Sequence, residues 1–278
     1  MTPDLRVAVI LPCHNDGPLL LEALGSIDEI EPVEVVVVDD HSTEDETLAA
    51  LEMLPAWVGL VRHEANEGLA VARNTGLHAT KAPYVLPLDA DDLAVAGALT
   101  AMADRLDSTP EAAVCFGDYL EFGDHELVRV VPAGLDPFRL AYINEYPVTS
   151  LFRRSALQEV GGWRKVVPGY EDWDLWLSLV ERGYEGVHLG SGRLTYRRRL
   201  HGERMLTAAK REHRARYLRL RDLHPRLFAD ISRHRGESDL SLRRKLLYPV
   251  VYGGRPRFGF EQRLKGWLDE HRIWTLRR

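Results

Sequence analysis

Tyr84-Val-Leu-Pro-Leu-Asp-Ala-Asp-Asp92 is the stretch on which the reading of this chain turns. A short apolar run ends in three carboxylates within four positions, which predicts a buried strand opening onto a charged loop. Like charges held together repel, and burying an ionised carboxylate without a partner is costly. Two readings compete. In one the loop is solvated and Asp91 or Asp92 caps the next helix. In the other the carboxylates hold a divalent metal ion and, through it, a phosphorylated ligand.

The preceding stretches bear on that choice. Arg6-Val-Ala-Val-Ile-Leu11 predicts a first buried strand, closed by Pro12 and the polar run Cys13–Gly17. Pro18 opens a helix to about Ile27, since Pro is well tolerated at a first helical position. Val33–Val38 is nearly all β-branched, the pattern of a parallel strand covered on both faces. It ends in Asp39-Asp40-His41-Ser42-Thr43, and a helix follows to about Met53, Thr43 and Glu46 having capping-box spacing. Val58–Arg62 is a third strand, leading through Asn66-Glu-Gly68 to a helix ending at Ala79. Tyr84–Leu88 is the fourth strand and Val95–Leu106 the next helix. Strands alternating with helices predict an α/β fold with a mostly parallel sheet. Ligands of such sheets gather at the carboxyl ends of the strands. Here those ends carry His14-Asn15-Asp16, Asp39-Asp40, Asn66-Glu-Gly68 and Asp89-Ala-Asp-Asp92, so polar groups converge on one edge.

Past Ala113 the pattern is less regular. Ala113–Phe116, Leu127–Val131 and Val148–Phe152 read as short strands. Trp173, Trp176, Leu177 and Val180 recur at helical spacing after Gly169-Tyr-Glu-Asp172, and Gly183 is a natural stop. From Arg193 the composition changes. Residues 1–192 carry 12 Lys+Arg against 33 Asp+Glu, whereas residues 193–278 carry 24 against 9. Such a split predicts a body at 1–192, with halves at about 1–110 and 111–192, and a basic, mainly helical extension at 193–278. Helices are expected at Leu206–Leu223 and Gln262–Trp274. The basic extension suits an anionic membrane surface, or serves as a packing or oligomerisation element; no nucleic-acid motif is present. No apolar run approaches the roughly 18 residues of a membrane span. Cys13 and Cys115 are the only cysteines, with no spacing for zinc or a disulfide framework. No secretory signal is visible, so a cytoplasmic protein is expected.

Five pieces together resemble the family 2 glycosyltransferases of the GT-A fold. They are Pro12-Cys-His-Asn15, Val37-Val-Asp-Asp-His-Ser42, Asn66-Glu-Gly-Leu-Ala-Val-Ala-Arg-Asn74, Leu88-Asp-Ala-Asp-Asp92 and Gly169-Tyr-Glu-Asp172. The match runs from Val7 to about Arg204. His14 and His41 stand where the family often has Tyr and Gly, and the basic extension lies outside the shared pattern. The resemblance implies a GT-A type, Rossmann-like sheet and a nucleotide-diphosphate sugar donor, most often a UDP-sugar. It implies donor contacts at Pro12, His14, Asn15, Asp39, Asp40, Asn66, Gly68, Arg73 and Asp89. A carboxylate suits a nucleobase N–H or a ribose hydroxyl, and Arg73 suits phosphate or a pairing with Asp89 or Asp91.

Metal ligation falls to Asp91, with Asp89 beside it or on ribose and His201 as a further candidate. Hard carboxylate and diphosphate oxygens suit Mg²⁺ or Mn²⁺. The acceptor hydroxyl needs a general base, for which the resemblance favours Asp172 over Glu171. Acidic residues in a first helical turn also stabilise the helix dipole without doing chemistry. The expected activity is metal-dependent, inverting transfer to a saccharide or lipid-linked acceptor in cell-surface polysaccharide assembly, at the inner face of the membrane. The alternative is a catalytically inactive nucleotide-sugar-binding or scaffold protein of the same fold. A nicotinamide dehydrogenase is disfavoured, because no Gly-x-Gly-x-x-Gly turn follows the first strand.

Overall fold

The computed structural model describes residues 5–200 and 212–253. Its first half runs β1 (Val7–Cys13), α1 (Gly17–Gly25), β2 (Glu34–Asp39), α2 (Asp45–Glu52), β3 (Gly59–Arg62), α3 (Leu69–Ala79) and β4 (Tyr84–Pro87). β1 pairs in parallel with β2 and β4, and β2 in parallel with β3. The side-chain period of two explains why β1 is apolar throughout. Val7, Val9 and Leu11 enter one core with Leu20 and Met102, whereas Ile10 enters the opposite core with Leu77 and Trp176. α3 lies close on β1 because Gly76 has no side chain; a Cβ there would stand 2.3 Å from Cγ2 of Ile10.

The second half contains β5 (Leu93–Ala94), α4 (Ala98–Asp107), β6 (Ala112–Phe116), β7 (Asp118–Gly123), β8 (Leu127–Arg129) and α5 (Pro137–Leu140). It continues with β9 (Leu151–Arg153), α6 (Arg154–Val160), α7 (Glu171–Glu181), β10 (Glu185–His188) and β11 (Leu194–Leu200). The seven-stranded sheet has the order β10-β6-β9-β4-β1-β2-β3. β9 runs antiparallel to both its neighbours, β4 and β6. The mostly parallel sheet flanked by helices is thus as expected, with this one reversal near its middle.

A smaller sheet, β5-β11-β7-β8, stands beside it. Its strand β11 carries the basic run Arg197-Arg-Arg199. Tyr196 and Leu200 are buried, and the guanidiniums of Arg197 and Arg199 lie 4.5 and 4.7 Å from the ring centre of Phe122 on β7. Cation–π contact of this kind lets arginines pack in a sheet.

Two local expectations are corrected. Asp92 caps no helix: β5 follows it, α4 begins at Ala98 behind Gly97, and Asp92 accepts the Arg199 N–H at 2.8 Å. No side-chain cap forms from Thr43 or Glu46; α2 begins behind Glu44. There the N–H groups of Thr43 and Glu44 donate to Oδ1 of Asn15 at 2.8 and 3.1 Å. In both cases a distant segment outcompetes the local one.

After residue 211 come α8 (His213–Leu223), α9 (Pro225–Ala229), α10 (Ile231–Glu237) and α11 (Leu242–Tyr252). Tyr217, Leu220 and Leu227 join the same core as α7. Among the described residues no helix is long and apolar enough to cross a membrane. The helix expected at Gln262–Trp274 and the candidate metal ligand His201 lie outside the described residues.

Candidate active site

The loop after β4 and the start of α7 meet at one buried guanidinium. Arg73, on α3, is 1% exposed. It donates from Nη1 to Oδ1 of Asp172 at 2.6 Å and from Nη2 to Oδ1 of Asp89 at 2.7 Å. Its Nε is buried with no hydrogen-bond partner. The side chains of Asp89 and Asp172 keep 31% and 34% of their surface in solvent, so both carboxylates face open space while their cation does not. The expected pairing of Arg73 with Asp89 is present, and Asp172 is the second partner. Burial lifts the Asp172 carboxyl above the usual range, Arg73 pulls it back, and Asp89 and Glu171 add to the lift. Glu171 itself accepts the N–H of Gly169 at 2.9 Å.

The loop after β4 concentrates negative charge. Burial, with the fields of Asp89 and Asp91, raises the Asp92 carboxyl well above its ordinary value, against the Arg199 N–H. Asp16, in the loop after β1, is raised by burial and then by Asp91 and Asp89, against the His14 N–H. Arg199 also donates from Nε to the carbonyl of Asp91 at 3.0 Å and pairs with Glu22. Asp16 and Arg199 are thus neighbours of the site to which sequence reasoning gave no individual role, although Asp16 was placed among the converging polar ends. Asp16 sits in the polar run Cys13–Gly17, but nothing local sets it apart there.

The remaining expected donor contacts form a hydrogen-bonded cradle. His14 donates from Nδ1 to the carbonyl of Asp40 at 2.8 Å, which leaves Nε2 to accept from Nδ2 of Asn66 at 3.0 Å. Asn15, at φ 62°, uses Oδ1 on α2 as described above. Asp39 is fully buried; its oxygens accept from the Ser42 N–H at 2.9 Å and from Nε of Arg62 at 2.8 Å. Asp40 accepts from the Glu67 and Gly68 N–H groups and from Nδ1 of His63, each within 2.8 Å. Burial raises the Asp40 carboxyl, but these donors outweigh it and hold it low. Gly68 precedes α3 at φ 94°, a conformation that suits glycine. Pro12 lies in β1, paired with Val38. Asp39, Asp40 and Asn15 therefore shape the loops, while Asp89 and Asp172 share Arg73 and keep part of their surface in solvent.

The donor set fits a hard cation. Mg²⁺ takes one or two protein carboxylates and completes its shell with substrate phosphates and water. Asp89 and Asp91 would supply such oxygens. Among the described residues no group of three or more His, Cys, Asp or Glu side chains is gathered to hold a metal, so substrate and water would have to complete the shell. Asp16 and Asp92 are raised in part by the charges of Asp89 and Asp91. A cavity of about 510 Å³, lined by Glu181, Tyr184, Arg226 and His234 among others, lies at the opposite end of α7.

Residues 8–161 match the family model Glycosyl transferase family 2. The chain belongs to this family. A Staphylococcus aureus relative, the poly(ribitol-phosphate) beta-N-acetylglucosaminyltransferase TarP, is 37% identical over 94 residues, 32% of this chain and 29% of that protein. Against two further curated relatives the glycosyltransferase-family chain spans 20% and 62% of their length. Among solved structures, TarS 1–349 of S. aureus in complex with UDP-GlcNAc superposes with a TM-score of 0.62 at 20% identity, covering 87% of this chain and 69% of that one. The mannosyltransferase PcManGT of Pyrobaculum calidifontis, in complex with GDP-Man and Mn²⁺, gives 0.58 at 20% identity, covering 99% and 82%. At this identity the likeness establishes a GT-A type fold for the family 2 chain.

Proposed function

We propose that this chain moves a sugar from a nucleotide-diphosphate donor to an acceptor hydroxyl with inversion at the anomeric carbon. The observation that carries the reading is Arg73, which joins Asp89 at the end of β4 to Asp172 at the start of α7. The carboxylate of the charged loop is thereby tied to a second carboxylate that keeps about a third of its side chain in solvent and is raised by burial. Raising a carboxyl makes it a better proton acceptor once ionised.

In the reaction Asp172 takes the proton of the acceptor hydroxyl as its oxygen bonds the anomeric carbon and the bond to the diphosphate breaks. One base and a direct displacement invert the centre. Arg73 orients Asp172, and Glu171 holds the turn at Gly169. The loops fixed by Asp39, Asp40, His14 and Asn15 frame the space for base and ribose. Asp91 and Asp89 would hold Mg²⁺ or Mn²⁺. Such an ion offsets the charge that grows on a departing diphosphate.

The neighbours' ligands, UDP-GlcNAc and GDP-Man with Mn²⁺, support a nucleotide-sugar donor, and TarP's name supports a polymeric acceptor in cell-surface assembly. On α11 the exposed Leu242, Leu246 and Val250 lie on one helical face beside Arg243 and Lys245. That face supports peripheral contact with an anionic membrane from the cytoplasmic side.

The test is turnover of UDP-GlcNAc and GDP-mannose with Mn²⁺ and with EDTA, for the native chain and for Asp91→Ala and Asp172→Asn. Losses of about 100-fold or more in both variants are expected. Unchanged turnover in both would sink the site assignment. Nucleotide-sugar binding with no turnover of either donor would favour the inactive, ligand-holding alternative.

A further inference from the structure

α7 is gripped on its outward side by the helices that follow residue 211. Asp174 lies two residues beyond Asp172, roughly 200° around the helix, and is wholly buried. Arg164 already pairs with both its oxygens, at 2.8 Å from Nε and 2.7 Å from Nη2. His224 adds a different connection. Its Nε2 stands 3.0 Å from Oδ1 of Asp174 and its Nδ1 3.1 Å from Oε2 of Glu181, while the ring is 1% exposed.

Asp174 and Glu181 are seven residues apart, two turns along one helical face. One ring therefore braces the first and last turns of α7. Glu181 completes the lock from the other side: its Oε1 accepts the N–H groups of Arg226 and Leu227 at 2.9 and 3.2 Å. Those are among the first N–H groups of α9, which have no intrahelical acceptor. A second grip lies beside Asp172 itself. Tyr170 Oη and His213 Nδ1 are 2.7 Å apart, and the His213 ring stacks on Trp173 at 6.4 Å with the planes 16° apart.

We propose that His224 is a positioning residue for Asp172, acting through α7 as the centre of a clamp built from α8 and α9. The inference rests on Asp172 being the base. Because Arg164 satisfies Asp174 without help, the distinctive contribution of His224 is to fix the rotation and axial setting of α7. That setting decides where the Asp172 carboxylate stands against Arg73, and displacements well under 1 Å at a reacting group lower rates severely.

The experiment compares the native chain with His224→Gln, whose single amide cannot reach both carboxylates as the two ring nitrogens do, and with the milder Glu181→Gln, whose Oε1 can still accept from α9. With UDP-GlcNAc and Mn²⁺, kcat is expected to fall about tenfold or more in His224→Gln and less in Glu181→Gln. The donor KM and the UDP dissociation constant should stay within about twofold, because the donor loops do not touch α7's outward face. Amide exchange in residues 171–175 should quicken in both variants while that of β1 and β4 stays unchanged. A kcat within twofold of native, or a loss that matches the fraction of chains unable to bind UDP, overturns the proposal. So does unchanged exchange in α7, a readout that holds even if this donor is not turned over. If Asp172→Asn keeps native kcat, the base assignment has failed, and the clamp's role in turnover falls with it. If only the His224 and Glu181 variants keep native kcat, the clamp alone has failed.

Discussion

Arg73 divides one positive charge between two carboxylates, and the consequences can be measured at single residues. Asp172 is raised by burial and in part by the negative field of Asp89. Replacing Asp89 with Asn removes that field and leaves Arg73 wholly to Asp172, so the pKa of Asp172 falls. A base works when ionised, so the acid limb of the kcat profile of Asp89→Asn should move to lower pH, even though maximal turnover drops. Removing the cation itself leaves two partly solvated carboxylates without it. Arg73→Met should cost about 1–3 kcal/mol of stability, read as a lower urea midpoint. Asp174 carries the opposite sign of shift: burial raises it, but His224 and Arg164 outweigh burial and hold it low. Its stabilisation is complete above the unfolded carboxyl value of about 3.9 and is lost as pH falls through the lowered native value. Asp174→Asn should flatten the dependence of stability on pH below about 4. From sequence a pairing of Arg73 with Asp89 was one option beside Asp91 and phosphate, and it is the one present, sixteen positions apart on a helix and the loop after the next strand. Asp172 as its second partner, 99 positions away, was not legible, since no local pattern encodes a shared ligand at that separation.

At the scale of elements, strands buried on both faces were the readable ones. β1 and β2 show near-continuous Val, Ile and Leu because each face meets its own core. β11 was missed, since Arg197, Arg198 and Arg199 read as part of the basic composition that starts at Arg193. The ladder with β7 makes them strand residues, and the Phe122 ring and Glu121, 3.8 Å from Arg198, accommodate their charge. The helix α7 was legible through Trp173 and Trp176, and Gly183 does follow its end at φ 81°. The cap expected of Asp92 failed for the reason β11 was missed: its acceptor capacity goes to Arg199, 107 residues away. The contact of α3 with β1 supplies a prediction of its own. Gly76→Ala puts a methyl group 2.3 Å from Ile10, and neither the helix nor the sheet can yield freely. A loss of about 1–3 kcal/mol is expected, as a lower urea midpoint with an unchanged slope.

Taken whole, the acidic residues 1–192 and the basic residues 193–278 meet through apolar as well as charged contacts. Tyr217 and Leu220 of α8 and Leu227 of α9 belong to the core that holds Trp173 and Trp176. Thermal unfolding followed by near- and far-ultraviolet circular dichroism should therefore show one coincident transition. Two separate transitions would mean that the extension and the body are independent units. The reversed strand β9 has a different consequence, for the order in which the sheet can be made. Val85 of β4 and Val114 of β6 both take Phe152 of β9 as their partner. A nascent chain that has emerged only through β6 thus holds β4-β1-β2-β3 and a lone strand β6, with nothing to join them. β4 must wait as an open, apolar edge until Leu151–Arg153 leaves the ribosome, the interval in which an unpaired edge invites pairing with another chain. The central seam can close only then, and β10 completes the far edge on β6 later still, once Glu185–His188 has been made.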